Sequence, residues 1–152
     1  MPEAHQPAFR RAVIALNGGP SDARIVRLVS ELARDGQAQL IAVHVVEIDW
    51  TLPLDADIAG NSEEAQRVLD MAESAAEAGR ATLETILLQA RDVGAALVDE
   101  ASEREADLLV VGLPYRKRFG GDFAIGQTIP YVLKNAPCAV WVVREPIHEE
   151  SA

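Results

Sequence analysis

The chain has 152 residues, 49% of them apolar and 25% charged, with a formal net charge of -10. A domain of this length buries roughly 70% of its unfolded surface and needs no disulfide or metal staple. The acidity argues against a general nucleic-acid binder and against docking on anionic membranes, since both need a basic face. The single cysteine, Cys138, leaves no internal disulfide, which suits a reducing compartment. The opening MPEAHQPAFRR lacks the apolar core of a signal peptide, and no apolar run approaches the ~20 residues of a membrane helix. A cytoplasmic protein is expected.

Residues 11–17 (RAVIALN) read as a strand that ends in the turn signal Gly18-Gly19-Pro20. Ser21 or Asp22 is placed to cap a helix running to about Arg34. Its apolar face is expected at Ile25, Leu28, Val29 and Leu32, with Gly36 as the stop. Residues 39–46 (QLIAVHVV) form an almost continuous apolar run, as a strand buried on both faces does. A polar loop follows over 47–60. Asn61 or Ser62 then caps a long helix with Val68, Leu69, Ala72 and Ala76 on one face, ended by Gly79.

Residues 81–88 (ATLETILL) read as an edge strand, because their Thr and Glu suit exposure. Asp92 caps a helix that buries Val93, Leu97 and Ala101. Residues 108–112 form a wholly apolar, central strand. A short helix over 128–135 stops before Pro137, and residues 139–143 (AVWVV) make the fifth strand. One domain over 9–145 with loose termini at 1–8 and 146–152 is expected. Alternating strands and helices mean an open α/β sheet, mostly parallel, with helices on both faces. Two strand orders are open, 2-1-3-4-5 and 3-2-1-4-5. The second reverses between strands one and four, and ligands bind beyond the carboxyl ends of the strands at such a point.

The stretch VVGLPYRKRFGGDFAIGQT (110–128) would lie beside that point. Its glycines permit close backbone approach, and free amides near a helix start attract anions. Arg116, Lys117 and Arg118 add positive charge to an acidic chain, and arginine grips phosphate bidentately. The cations therefore serve an anionic ligand, a nucleotide phosphate above all. The alternative is a solvated basic loop that pairs with Asp122.

This region, continuing through IPYVLKNAPCAVWVV, resembles the C-terminal third of universal stress proteins. VIALNGGPSDARIV resembles their opening segment, and LIAVHVVE their second strand. The resemblance implies the 3-2-1-4-5 order and an adenine-nucleotide site. The ATP-binding branch carries G-x2-G-x9-G-(S/T) after strand four. Gly112 matches the first glycine, Tyr115 stands at the second, and Gly126 matches the third if the loop is one residue longer. The next position is Gln127, with Thr128 adjacent. Asn17 stands where the family usually has an aspartate facing the nucleoside. The resemblance further implies backbone contacts to adenine from Ala15 and Leu16 and a contact from Val45. Val111 and Gly112 would flank ribose and phosphates. Tyr115, Arg116 and Arg118 stand where another phosphate cradle would form. It also implies a homodimer through the fifth strand, with Ala139, Trp141 and Val143 at the seam. The alternative is that Trp141 packs only within its own chain.

Other chemistry has weaker support. There is no G-x4-G-K-(S/T) phosphate loop, no G-x-G-x-x-G fingerprint and no zinc spacing among His5, His44, His148 and Cys138. His44 reads as a core or strand-end histidine and Cys138 as a buried structural thiol. Glu47 and Asp49 have two readings, metal ligands beside a phosphate or ordinary solvated loop acids, and the second is the simpler. Trp50, Leu52, Leu54 and Ile58 belong either to a lid or to a core cover. Glu63, Glu64, Asp70, Glu73 and Glu77 suit a solvent face. The expected function is an adenine-nucleotide-binding sensor or regulator, with ATP or a related nucleotide, Mg2+ as an accompanying ion, and slow hydrolysis at most. The alternatives are a nucleotide-independent homodimeric interaction module, in one version a regulator of a transporter, and an enzyme acting on a small phosphorylated substrate.

Overall fold

The computed structural model describes residues 8–33, 37–53, 59–113 and 127–144, and for 59–62 the backbone alone. Its elements in chain order are β1 (Arg11–Leu16), α1 (Asp22–Ala33), β2 (Gln39–Glu47), α2 (Ala59–Ala78), β3 (Leu83–Ala90), α3 (Val93–Glu103), β4 (Leu108–Gly112), α4 (Thr128–Asn135) and β5 (Ala139–Val143). All strand pairs are parallel, in the order β3-β2-β1-β4-β5. Of the two orders open from the elements, this is the one that the family resemblance implies.

Strand pleating sorts the side chains. Ala12, Ile14 and Leu16 of β1 join Leu40, Ala42, Leu108 and Val110 beneath α1 and α2. Val13 joins Ile41, Val43, Val45, Leu109 and Val111 beneath α3 and α4. Both faces of β1, β2 and β4 are therefore covered, which explains their near-continuous apolar sequences. Fully burying each Val, Leu or Ile contributes about 1.5–3 kcal/mol. β3 alternates between partly buried and exposed residues, as its Thr and Glu predict for an edge.

The helices depart from expectation in three places. On α1, Ile25, Val26, Val29, Ser30 and Ala33 face inward, whereas Leu28 and Leu32 are exposed. The buried face is turned because α1 must meet α2. A Cβ on Gly79 would lie 2.7 Å from Ser30 Cβ, so the two helices touch through small residues. Gly79 consequently serves packing. The left-handed residue that ends α2 is Arg80, at φ 61°, with Arg80 N–H donating to Glu77 O and Ala81 N–H to Ala76 O, both at 2.9 Å. This exit turn absorbs Ala81 and Thr82, so β3 begins two residues later than its composition predicts. Asn61 and Ser62 lie inside the first turn of α2, where backbone N–H groups lack helical partners and polar residues are tolerated. Asp92 caps α3 as expected, accepting from Ala95 N–H at 3.1 Å.

Candidate functional site

Because every strand is parallel, all five carboxyl ends reach one edge of the sheet. The chain leaves β1 for α1 and β2 on one side, while β4 arrives on the other. The order reverses there, at the place where α/β sheets open a crevice. A cleft of about 310 Å³ sits at this edge, lined by Asn17, Gly18, His44, Val45, Val46, Glu47, Glu64, Ala65 and Val68.

The floor is the turn after β1. Gly18 has φ 81°, a left-handed conformation that glycine adopts without steric cost. Asn17 Oδ1 accepts from Gly19 N–H at 2.7 Å, closing a local turn. The Asn17 amide nitrogen lies 3.9 Å from where a Gly112 side chain would begin. The same position is 2.8 Å from Ile25 Cδ1, so the bare backbone of Gly112 makes room for α1. Asp22 turns back beneath the floor. Its two oxygens accept from Asn17 N–H at 3.1 Å and Gly18 N–H at 2.8 Å. Only 4% of Asp22 is exposed, and burial pushes its carboxyl above the usual range. The two backbone N–H groups and attraction from His44 pull the other way.

His44 pairs with Leu16 in the β1–β2 register and is half-buried, with Nδ1 at 3.4 Å from Leu16 O. It is a strand-end histidine, as its sequence context predicts, and its ring also walls the cleft. Glu47 and Glu64 give the rim negative charge. Asp49 faces elsewhere: it accepts from Thr51 N–H at 2.9 Å, which lowers its pKa. No group of three or more His, Cys, Asp or Glu among the described residues is arranged to hold a metal ion.

The sequence-selected site residues separate into three sets. Asn17 and Val45 line the cleft. The side chains of Leu16 and Val111 are buried in opposite cores and that of Ala15 packs partly against one, so any contact from Ala15 and Leu16 is through backbone. Gly112 ends β4 next to the Asn17 amide. Gln127 and Thr128 open α4. Gln127 is its N-cap and makes no side-chain capping bond. Tyr115, Arg116, Arg118 and Gly126 lie outside the described residues, as do Lys117, Leu54 and Ile58.

Trp50 is 78% exposed and therefore does not cover the core; Ile48 does. Arg91 lies 4.9 Å from the Trp50 ring centroid and donates to Asp49 O and Leu52 O, fixing the start of this loop. Cys138 is half-buried, and burial raises its thiol pKa, which suits an inert residue. On β5, Trp141 packs edge-to-face on Phe9 with centroids 5.7 Å apart, while Val142 is exposed.

Sequence reasoning took Asp22 only as a possible cap and did not place His44 or Glu64 at the cleft. The usable signal was the spacing of Asp22 four residues after Gly18, which lets a carboxylate fold back onto the glycine turn.

Residues 8–144 match the universal stress protein family. The sensor protein KdpD of Mycobacterium tuberculosis is 33% identical over 139 residues, which is 91% of this chain and 15% of that sensor. A universal stress protein solved in complex with cAMP superposes with a TM-score of 0.67 at 25% identity, covering 90% of this chain and 98% of the other. A universal stress protein from Archaeoglobus fulgidus reaches a TM-score of 0.71 at 23% identity, over 91% and 98% of the two chains. The profile, the sheet order and these likenesses agree: the chain belongs to the universal stress protein family.

Proposed function

We propose that this chain binds an adenine nucleotide in the cleft at the carboxyl edge of β1 and β2 and acts as a cytoplasmic sensor or regulator. The observation that carries this reading is the cleft itself. A 310 Å³ opening with an apolar wall of Val45, Ala65 and Val68 meets a polar floor of Asn17 and Gly18 at the switch point. A flat base fits the apolar wall, and the Asn17 amide suits a ring nitrogen or ribose oxygen. The related structure with cAMP supports the ligand class.

In this reading the phosphates run from Gly112 toward Gln127 and Thr128 at the start of α4, with Arg116 and Arg118 as counter-charges and Mg2+ as companion to a triphosphate. Occupancy shifts the population of the 113–125 loop and so of a partner surface. Hydrolysis, if any, is slow. Calorimetric titration of ligand-stripped protein with AMP and with ATP plus magnesium, at two temperatures, tests the reading. Saturable binding near one nucleotide per chain supports it; silence at both temperatures rejects it. Gly126→Val is expected to abolish binding, and joint replacement of Arg116, Lys117 and Arg118 by Ala to weaken ATP more than adenosine.

A second reading, a homodimeric interaction module, draws on a different observation. β5 is a sheet edge with Ala139 and Val142 exposed and Trp141 and Val143 half-buried. Unpaired apolar edges favour strand pairing. The similarity to a sensor protein supports a signalling context. Light scattering after Val142→Lys tests the seam: loss of a dimer supports it, and an unchanged mass rejects it.

A further inference from the structure

A second cavity lies at the opposite, amino edge of the sheet, where the chain enters β2 and β3. It measures about 380 Å³, against about 310 Å³ for the cleft. Its floor is apolar: Ala33 and Leu40 are buried, and Ala38 and Ala81 are half-buried. Gln37, Arg80, Thr82 and Glu84 give it a polar rim. Gln37 and Arg80 are two of the three non-glycine residues held at positive φ among the described residues, at 54° and 61°. Glycine takes that conformation freely, and a side chain disfavours it. The chain nevertheless keeps an amide and a guanidinium at these two turns, and both border the same cavity. Backbone strain of this kind clusters at ligand sites.

The charges on the rim differ in how they are compensated. Glu84 is neutralised by Arg104, whose Nη1 donates to Glu84 Oε2 at 2.9 Å. The Arg80 guanidinium has no hydrogen-bond or ion-pair partner among the described residues. Arg11 adds a second cation behind the rim, donating from Nε to Gln39 Oε1 at 2.9 Å. A free guanidinium presents a planar fork that matches a carboxylate, and the apolar floor beside it suits hydrocarbon. We infer that this cavity is a second ligand site, for a small monocarboxylate: its carboxylate pairs with Arg80, and its hydrocarbon part lies on Ala33, Ala38, Leu40 and Ala81. Gln37 and Thr82 supply further donors for the carboxylate oxygens. Phosphate fits less well, because its second charge meets Glu84 and the apolar floor offers it no donor. The site stands apart from the cleft and does not depend on the nucleotide reading.

The test is titration of the 15N-labelled chain with butyrate at neutral pH and constant ionic strength, following the amide resonances of residues 37–40 and 80–82. Saturable shifts are expected there with a Kd on the order of 1 mM, while residues 17–19 at the cleft stay unshifted. Acetate lacks two methylenes and should bind about tenfold more weakly. Butanol has the tail without the charge and should bind at least about fivefold more weakly. Inorganic phosphate should give no saturable shift. Arg80→Gly should weaken butyrate binding at least about fivefold while its urea midpoint rises, a pair of changes that misfolding does not produce. Arg80→Gln repeats the test if the glycine variant folds poorly. Arg80→Lys keeps the charge without the fork and should retain part of the affinity. The inference is overturned by any of three results: no saturable butyrate shift in the wild type, undiminished butyrate affinity in the glycine or glutamine variant, or butanol or phosphate binding as tightly as butyrate.

Discussion

The two ends of β1 are held by the same device in different surroundings. At the amino end, Asp107 accepts from Arg10 N–H at 2.8 Å and Arg11 N–H at 2.9 Å, with its side chain exposed. At the carboxyl end, Asp22 accepts from Asn17 and Gly18 while almost wholly buried. An exposed carboxylate that is lost can be replaced by water, whereas a buried one cannot. The chemistry of the bond therefore does not decide its importance; access to solvent does. The costly version stands at the end where the sheet opens its cleft.

Direct substitution gives the largest separation of the two. Asp22→Ala leaves two part-buried N–H groups without acceptors and is expected to cost about 2 kcal/mol. Asp107→Ala should cost much less. Urea unfolding of both variants, compared at unchanged m value, checks this. Equal midpoints would break the comparison. Gly18→Ala comes next, with an expected loss of about 1 kcal/mol because φ 81° disfavours a Cβ. That Cβ would sit 3.7 Å from Val68 Cγ2 and 3.9 Å from His44 Cε1, ordinary contacts, so strain and not collision is the cause. A loss at Gly18→Ala no larger than at an exposed loop glycine would remove the strain argument.

Acidity sharpens the comparison further. Burial raises the Asp22 pKa above its ordinary 3.8. Between that value and the raised one, the folded state holds more protons at this group than the unfolded state. The contribution of Asp22 to stability is therefore greatest below about pH 3.8, declines as pH rises through the window, and is level above the folded pKa. The difference in unfolding free energy between wild type and Asp22→Asn should accordingly fall with rising pH over this range. A difference that grows with pH would reverse the sign and reject burial as the dominant influence.

How much of this was legible in the sequence depends on whether a feature is local. The apolar runs of β2 and β4, the Thr and Glu of β3 and the Asp92 cap each carry their meaning in a few neighbouring residues. The 3-2-1-4-5 order came from motif resemblance, since periodicity alone left two orders open. The buried face of α1 was misread because Leu28 and Leu32 fit helical spacing as well as Val26 and Ser30 do. Only the approach of Gly79 shows that Ser30 turns inward. Asp22 was hidden for a related reason. An acidic residue at a helix start usually complements the dipole in solvent, and nothing local says that this one is buried beneath a glycine turn.

The smallest effect is expected at the amino edge of the sheet, where helices end in left-handed residues that are not glycine. Arg80 at φ 61° ends α2 and Glu105 at φ 53° ends α3. Both exits share one bonding pattern, for Glu105 N–H donates to Ser102 O and Ala106 N–H to Ala101 O as their counterparts do in α2. A side chain costs about 1–2 kcal/mol in that conformation. Glycine removes this cost but gives back part of it through its freedom when unfolded. Arg80→Gly should therefore raise stability by about 0.5 kcal/mol, read as a higher urea midpoint at unchanged m value. A lower midpoint would show that the Arg80 side chain contributes more than its strained backbone costs. Adenosine affinity should not change, because Arg80 lies at the opposite end of the strands from the cleft. The carboxyl edge already uses glycine at its left-handed position, Gly18, and a buried carboxylate, Asp22, beneath it. At the amino edge the same backbone conformation carries a side chain at Arg80 and Glu105, and relief of its strain acts on stability.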